Sequence, residues 1–368
     1  MLRRRGGIGA VVLVAVLWVT PGRESAAEPY LAVRTGLKCS QCHVNRTGGG
    51  GRNDFGSAWA QTQLPMRTVG IRSRSLNDWV ALGLDLRALG TANLTDVAPR
   101  TAADISDAQV YLEARLIDNL LSLYLDETVG PSGASAREAF ALAQWRPLNG
   151  YAKAGKFLLP YGLRLWDDES VIRSVTGFTY KTPDLGLEVG IEPGPLSWFV
   201  AVSNGSVGAS ENNSQKMVTS SATITYPQFR FGASASRNSE PGRKTEIVGA
   251  HGGVRVGPLV VLGEADFVFD SFDDPAVDDQ DQFVAYVEGD LLVRKGINLK
   301  ATHGFHDPTA SIRESVMGTP EDQRTRTRLG VEAFPISFVQ LSAFFTRLDN
   351  AGDANDLNRV SLEVHLHF

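Results

Sequence analysis

The run Cys39-Ser40-Gln41-Cys42-His43 places two thiols and an imidazole at a spacing that can hold a metal cofactor. A C-x-x-C-H run is the attachment motif of c-type haem. Its two cysteines add to the two vinyl groups of one haem, and the histidine binds the iron through a ring nitrogen. The alternative is a disulfide between Cys39 and Cys42, which would leave His43 without a role. The motif predicts one covalent haem c, bound through Cys39 and Cys42, with His43 as the proximal iron ligand.

Residues 28–75 form the segment that has to position this motif. Gly48–Gly51 permit backbone conformations closed to other residues, which would allow close approach to a haem. A flexible linker is the alternative. Ser57–Leu64 are predicted to form a short helix, and the following Met66 is a candidate sixth iron ligand, although it can equally be a packing residue. So short a segment cannot bury a sizeable core alone, and it needs the haem or the rest of the chain for stability.

The N-terminus is typical of an export signal. Arg3–Arg5 supply positive charge, Ile8–Val19 supply an apolar core, and Ser25–Ala27 offer a cleavage site. The apolar run is shorter than the roughly 20 residues that a membrane-spanning helix needs. We therefore interpret residues 1–27 as a signal peptide, with the mature chain beginning near Glu28. Export agrees with the haem motif, because c-type haem is attached outside the cytoplasm.

The remaining 293 residues, 76–368 of a 368-residue chain, show a different pattern. Apolar and polar residues alternate with a period of two in segments of about ten residues, which is typical of transmembrane β-strands. The formal net charge of −5 argues against a nucleic-acid partner. The clearest alternating segments are residues 80–87, 108–116, 283–294 and 362–368.

The links between these segments alternate between short and long, as in outer-membrane barrels with periplasmic turns and external loops. Counting them predicts an all-β fold, an antiparallel transmembrane β-barrel of about sixteen strands. The count closes only if Leu159–Pro183 is one long loop after the fifth strand. The C-terminal Phe368 resembles the recognition signal of bacterial outer-membrane barrels. Tight links are expected at 118–119, 146–149, 193–194, 227, 257–258, 295–296 and 334–335, and interfacial aromatic residues at Trp79, Trp145, Tyr151, Trp198 and Tyr226.

His365 and His367 end the last strand and are expected on its inner face. In a closed barrel the first and last strands are neighbours, so both histidines would lie near the point where the haem segment joins the first strand. They are alternative candidates for the sixth iron ligand. They can equally be solvated residues of the lumen.

The long loop resembles the third loop of bacterial porins, which folds inward and narrows the pore. Its lead-in, Gly155-Lys156-Phe157 before Pro160-Tyr161-Gly162, is similar to that of phosphate- and oligosaccharide-type porins. The resemblance implies a charged constriction that sets ion preference, whereas the alternative is a solvated surface loop. The candidate constriction residues are Arg164, Asp167, Asp168, Glu169 and Arg173, with further lumen charges at Arg324, Arg326, Arg328, Glu264, Asp266, Glu288 and Asp290.

A haem segment joined to a barrel resembles the porin–cytochrome systems of bacterial outer membranes, although those use multihaem chains. The resemblance implies an outer-membrane protein with a periplasmic haem segment that transfers electrons to a periplasmic or multihaem cytochrome. One haem cannot bridge a hydrocarbon layer of about 30 Å. The alternative is a passive porin for small solutes or ions, with the haem segment as a sensor or plug. We do not expect an enzyme, because no catalytic acid–base pair, nucleophile elbow, phosphate loop or zinc spacing is present in the sequence.

Overall fold

The computed structural model describes residues 22–23, 28–94, 99–130, 133–206, 211, 213–310, 323–350 and 356–368. The predicted signal peptide lies outside the described residues except for Gly22–Arg23, a two-residue strand that pairs in parallel with Ile105 and Ser106. The seventeen-stranded sheet contains this pair and sixteen further strands.

These sixteen strands form a closed antiparallel barrel, which confirms the predicted fold class and strand number. Each strand pairs with its neighbour in the sequence, and β16 closes the barrel by pairing with β1. The strands are β1 (Val80–Leu94), β2 (Arg100–Ile117), β3 (Leu121–Gly130), β4 (Gly133–Trp145), β5 (Gly150–Phe157), β6 (Asp184–Ile191), β7 (Leu196–Ser203), β8 (Met217–Tyr226), β9 (Phe229–Glu240), β10 (Arg243–Val256), β11 (Leu259–Phe272), β12 (Gln280–Arg294), β13 (Ile297–Asp307), β14 (Arg324–Ala333), β15 (Val339–Asn350) and β16 (Leu357–His367).

The period-two pattern separates an apolar outer surface from a polar lumen. In β1, Leu84 is 52% exposed, whereas the next residue, Asp85, is 4% exposed. The outer surface presents Leu, Ile, Val and Phe side chains from most strands. Trp79, Trp145, Trp198 and Tyr226 are exposed near strand ends. The prediction for Tyr151 was wrong, because its side chain is buried and its hydroxyl donates to a Glu188 carboxylate oxygen at 2.7 Å.

All seven expected short turns join neighbouring strands at one end of the barrel. The predicted alternation with long links holds only in part, because at the other end β9 and β10 are joined by residues 241–242 and β3 and β4 by residues 131–132. The predicted long loop follows β5 and covers residues 158–183. This inward loop lies inside the lumen, where Arg173 forms an ion pair with Glu264 and the Tyr161 hydroxyl donates to Asp266 at 2.9 Å.

Four α-helices complete the described fold: α1 (Pro29–Thr35), α2 (Cys39–Cys42), α3 (Asp54–Gln63) and, in the inward loop, α4 (Val171–Thr176). A short 3₁₀ turn covers Pro147–Asn149. The helix predicted over Ser57–Leu64 begins earlier, because the Asn53 side chain accepts a hydrogen bond from the Gly56 amide and caps it. No helix in these ranges is long and apolar enough to cross a bilayer.

Residues 28–75, called the plug below, occupy the end of the barrel that carries the short turns: most of residues 28–65 contact the lumen, whereas residues 66–73 are exposed at the rim. The Lys38 ammonium donates to the Leu196 carbonyl at 2.6 Å, next to the β6–β7 turn. Deeper in the lumen, the Gly51 amide donates to the Tyr124 hydroxyl at 2.6 Å. The sequence led us to expect this segment at the mouth of the barrel, whereas the structure places it within the lumen.

Candidate functional site

The haem motif forms a compact turn at the centre of the plug. Cys39 and Cys42 are the first and last residues of α2, and the His43 amide donates to the Cys39 carbonyl at 2.9 Å. His43 then pairs with Arg52 in an isolated antiparallel bridge. The chain therefore leaves α2, makes a closed turn over residues 44–51 and returns to the motif.

The glycines of this turn are required by its conformation and its contacts. Gly48, Gly49 and Gly50 have φ of 93°, 88° and 61°, values that favour glycine. A Cβ atom on Gly48 would lie 3.2 Å from the Cys39 sulfur, and one on Gly50 would lie 2.5 Å from the Tyr124 hydroxyl. The segment is thus a tight turn packed between the motif and the barrel wall rather than a linker.

Helix α3 packs directly on the motif. A Cβ atom on Gly56 would lie 2.0 Å from the Cys42 carbonyl oxygen, so only glycine allows this approach. The close packing brings Trp59, Ala60 and Leu64 to the same side as the two cysteines. The position of α3 therefore decides the shape of the space beside the motif.

Cys39, Cys42 and His43 line one cleft of about 840 Å³. This haem cleft, as we call it, is bounded by the plug, by Arg230 on β9 and by Gly162–Arg164 of the inward loop. Its apolar lining includes Leu31, Ala32, Leu37, Trp59, Ala60, Leu64 and Leu163, and its cationic lining comprises Lys38, Arg52, Arg164 and Arg230.

The ionisation of the motif suits metal binding. Burial, helped by the nearby Arg52, lowers the pKa of His43 to about 4, so the imidazole is neutral at pH 7. Neutral imidazole is the form that binds iron. Burial and the neighbouring Cys39 raise the pKa of Cys42 to about 11, which keeps this side chain a thiol. A thiol is a poor nucleophile in disulfide exchange, so this environment does not favour a redox-active disulfide.

The residues present fit a c-type haem. The His43 imidazole is buried beside the backbone of Gly49, Gly50 and Gly51. Two thiols, one neutral imidazole and an apolar wall match the vinyl groups, iron and macrocycle of that cofactor.

The three candidate sixth ligands do not line the haem cleft. The Met66 amide donates to the Phe334 carbonyl at 2.8 Å, and its side chain packs against Gly296 at a short turn. Both ring nitrogens of His365 are engaged, with Asp85 at 2.9 Å and Gln340 at 2.8 Å.

His367 is separated from the haem cleft by Arg52, whose Nη1 lies 3.3 Å from the His367 Nδ1. The expected proximity of the last strand to the haem segment is therefore observed, but a guanidinium stands between them. None of the three candidates approaches the motif in this structure.

The five candidate constriction residues do not form a ring. Arg164 faces the haem cleft, and Arg173 is buried in its ion pair with Glu264. The Asp168 carboxylate accepts a hydrogen bond from the Tyr180 amide at 2.8 Å within the loop. Arg173 thus pairs with β11, whereas Asp167 and Glu169 pair with β14 and β16.

Asp167 and Glu169 attach the inward loop to the opposite wall. Asp167 pairs with Arg326 at 2.5 Å and Arg328 at 3.2 Å, and Glu169 pairs with Arg359 at 2.7 Å. Although burial alone would raise it, the two arginines hold the pKa of the Asp167 carboxyl below its usual range. We call these five residues the loop latch, because they connect the inward loop to β14 and β16.

A second cleft, of about 900 Å³, lies on the other side of the inward loop. Leu165 and Trp166 line this outer cleft, whereas Leu163 and Arg164 line the haem cleft. The outer cleft is strongly charged, and its walls include the latch arginines together with Arg87, Lys300, Glu288, Glu332 and Glu363. One layer of loop therefore separates the two clefts.

Solved outer-membrane proteins share this architecture. A loop-deletion variant of OmpT from Vibrio cholerae superposes with a TM-score of 0.60 at 16% identity, covering 78% of this chain and 99% of that one. The channel DcaP of Acinetobacter baumannii gives 0.59 at 12%, covering 78% and 97%. OprB of Pseudomonas putida gives 0.58 at 10%, covering 79% and 94%.

The fold is that of the outer-membrane porin-type barrels. At these identities the likeness concerns the fold alone. No family model matches the chain. No curated protein matches it either. The share of the chain covered, about four-fifths, corresponds to the length of the barrel without the plug.

Two residues of the site, Arg230 and Leu163, were not predicted from the sequence, whereas Trp59 was expected as a packing residue of the helix that follows the motif. The sequence did contain one indication that protein fills the lumen, at the lumen-facing positions of the strands. Tyr111, Tyr124 and Tyr151 lie on lumen faces and are at most 4% exposed. Large aromatic residues on several lumen faces indicate that protein, and not water, fills this part of the barrel.

Proposed function

We propose that this protein is a bacterial outer-membrane, porin-type barrel that carries one covalent haem c in its lumen and transfers electrons there. One observation carries the proposal: Cys39, Cys42 and His43 line a single, largely apolar cleft inside the barrel. The exposed apolar belt of the strands supports a lipid environment.

Each residue of the motif would have a separate role. Cys39 and Cys42 would hold the cofactor by thioether bonds, and His43 would bind its iron. When bound, a haem supplies one-electron redox chemistry. The chain contributes an apolar wall, including Leu37 and Trp59, which limits the access of water and thereby sets the reduction potential.

Orientation in the membrane follows from the turns. Short turns face the periplasm in barrels of this class, so the plug lies toward the periplasmic side. The protein partner that fits this arrangement is a periplasmic or multihaem cytochrome docking at the short-turn end. Phospholipid and lipopolysaccharide would surround the strands.

The test is to produce the full-length protein in a bacterium that assembles c-type cytochromes and purify it from the outer membrane. We expect haem that survives denaturing electrophoresis and a reduced-minus-oxidised spectrum of the c type. A Cys39→Ala/Cys42→Ala variant should lose the attached haem, whereas Ser40→Ala, between the two cysteines, should keep it. A folded wild-type barrel without attached haem would overturn the proposal.

The second candidate is a passive porin in which the plug has an accessory role. The charged outer cleft of about 900 Å³ favours it. The plug and the loop latch oppose it, because together they occupy the lumen. Planar-bilayer recordings of the haem-loaded wild type separate the two candidates: electron transfer predicts little steady conductance, and a diffusion porin predicts a large one.

A further inference from the structure

We infer that the free N-terminus of the mature chain, the α-ammonium group of Glu28, is a structural cation that pairs with buried carboxylates inside the barrel. The sequence predicts removal of the signal peptide near this residue. Cleavage before Glu28 would turn an uncharged peptide nitrogen into an amine that is mainly protonated at pH 7. This role does not depend on the haem.

Glu28 lies within the lumen at the start of the plug. Its carboxylate accepts from the Lys300 ammonium at 2.6 Å, and its side chain is 12% exposed. Two residues later, Tyr30 is fully buried and its hydroxyl donates to the Glu332 carboxylate at 3.0 Å. Residue 28 is therefore fixed beside β13 and β14. Its nitrogen shares these surroundings, because only the Cα, Cβ and Cγ atoms separate it from the carboxyl carbon.

Four carboxylates surround one lysine at this point. The Lys300 ammonium lies 2.6 Å from Glu28, 3.5 Å from Glu288, 3.6 Å from Asp290 and 3.4 Å from Glu332. Within the part of the chain that the structure describes, Lys300 is the single cation that pairs with any of them. Four carboxylates facing one ammonium leave an excess of negative charge when all are ionised, so a second cation would stabilise the group.

Asp290 is the carboxylate that lacks donors. Its side chain is fully buried, and neither of its oxygens accepts a hydrogen bond from a described donor. Glu332, by contrast, accepts from Tyr30, and Glu288 accepts from Tyr286. Burying a charge without a hydrogen-bonding partner is costly. An α-ammonium supplies both the positive charge and the N–H donors that Asp290 lacks.

The side chains already present do not balance this group. Burial raises the pKa of the Glu28 carboxyl; Lys300 opposes this, and Glu332 and Glu288 raise the pKa further. Arg34 is the next cation, but its guanidinium donates to the Asn298 amide oxygen at 2.8 Å and lies 4.7 Å from the centre of the Tyr30 ring. The chain terminus is therefore the cation that fits.

The first experiment measures whether the terminus is buried and paired. The full-length protein is exported, purified from the outer membrane in detergent and sequenced from its N-terminus, where we expect Glu28 as the first residue. Acetic anhydride at pH 7 then acylates free amines, and mass spectrometry follows the N-terminal peptide. The α-amine should react roughly tenfold more slowly, or less, in the folded protein than in the denatured one, because a paired ammonium is not a nucleophile.

The second experiment moves the terminus without removing a side chain. Gly-Ser inserted between Ala27 and Glu28 keeps the predicted cleavage site but displaces the α-ammonium by about 7 Å of chain. Chymotryptic cleavage within the plug should then be at least roughly tenfold faster, because the carboxylates have lost a partner. The same insertion between Gly70 and Ile71, exposed in the plug, is the matched control and should leave the rate unchanged. Asp290→Asn, added to the displaced terminus, should restore part of the protection.

The results that would overturn this role are distinct. One is a mature chain that begins at another residue, and another is an α-amine that reacts equally fast in folded and denatured protein. Equal cleavage of the wild type and the displaced-terminus variant would mean that protons, and not the terminus, neutralise the carboxylates. Equally accelerated cleavage in both insertion variants would indicate a general disturbance of the plug and would also overturn it. None of these measurements uses the haem, so their failure leaves the proposed function in place, whereas a wild type without covalent haem overturns only the proposed function.

Discussion

Replacing Arg46 by alanine should loosen the plug from the barrel wall. Arg46 binds the Glu192 carboxylate through Nε at 3.1 Å and Nη2 at 2.5 Å, and binds Gln144 through Nη1 at 2.7 Å. The two charged side chains are 10% and 1% exposed. The guanidinium also lies 5.1 Å from the centre of the Tyr151 ring. Among the described contacts of the plug, this one joins the turn after α2 to the β6–β7 end of the barrel.

The size of the effect depends on the Glu192 carboxylate, which the substitution leaves buried without its ion-pair partner. Removing one partner of a buried ion pair costs about 3–5 kcal/mol, because the other charge stays buried. Glu192 keeps a hydrogen bond from the Ser197 hydroxyl at 3.0 Å, so we take the lower end. About 3 kcal/mol corresponds to a change of roughly 10²-fold in the ratio of docked to undocked plug.

Limited chymotrypsin digestion of the detergent-solubilised protein can measure this ratio, because this protease cleaves after aromatic residues such as Tyr30 and Phe55 of the plug and neither arginine substitution removes one of its sites. When opening is fast relative to cleavage, the cleavage rate tracks the population of the open form. Cleavage within the plug should therefore be about 10²-fold faster in Arg46→Ala. Arg72→Ala removes an equal charge from an exposed site of the plug and should leave the rate unchanged. Equal rates in Arg46→Ala and the wild type, in a barrel of unchanged thermal stability, would refute docking through this ion pair.

Three further predictions concern the loop latch, α3 and Met66. Asp167→Asn should raise the rate of hydrogen exchange in the inward loop about tenfold, since roughly 1.4 kcal/mol of ion pairing is lost. Asp168→Asn keeps an oxygen that can accept from the Tyr180 amide and should leave the exchange rate unchanged. The pKa of Asp167 is held below its usual value, so its pairing with Arg326 and Arg328 is complete above about pH 4 and is lost only at lower pH. A change in the hydrogen-exchange protection of the loop between pH 5 and 8 would contradict this. Gly56→Ala should sharply reduce the amount of covalent haem, because the new Cβ would lie 2.0 Å from the Cys42 carbonyl oxygen. Ala58→Ser, on the exposed face of α3, should leave the amount of covalent haem unchanged. Met66→Ala should leave the haem spectrum unchanged, and an altered spectrum would place its thioether on the iron.

The barrel was predictable because its determinants are local. A period of two and short turns at seven positions define sixteen strands without knowledge of any tertiary contact, and closure then follows from parity. The clustering of Cys39, Cys42 and His43 in one cleft was predictable for a similar reason, because they are close in the sequence; haem attachment to them stays a prediction. The Tyr151 prediction failed because an aromatic residue near a strand end can face either lipid or lumen. Which side it faces depends on its position in the inward–outward alternation of β5.

The arrangement within the lumen depends on contacts between distant residues. Arg46 meets Glu192 and Gly51 meets Tyr124 across 146 and 73 positions of sequence. Nothing in the plug sequence indicates which wall it contacts, or that Arg164 faces the motif while Asp167 faces the opposite wall. The sequence spacing placed Met66 at a plausible distance from His43. In the structure the Met66 amide donates to the Phe334 carbonyl at the barrel rim, and the Met66 side chain lies outside the haem cleft.

The position of the plug affects the distance over which a single haem would have to transfer electrons. A haem at the mouth of the barrel would leave most of a hydrocarbon layer of about 30 Å uncrossed. On our proposal, the cofactor lies within the lumen and beneath the inward loop. Leu163 and Arg164 would face it, whereas the next residues, Leu165 and Trp166, face the outer cleft. A small redox-active solute that entered the outer cleft would thus be separated from the cofactor by one layer of loop, and a protein partner at the short-turn end would need to reach only the plug.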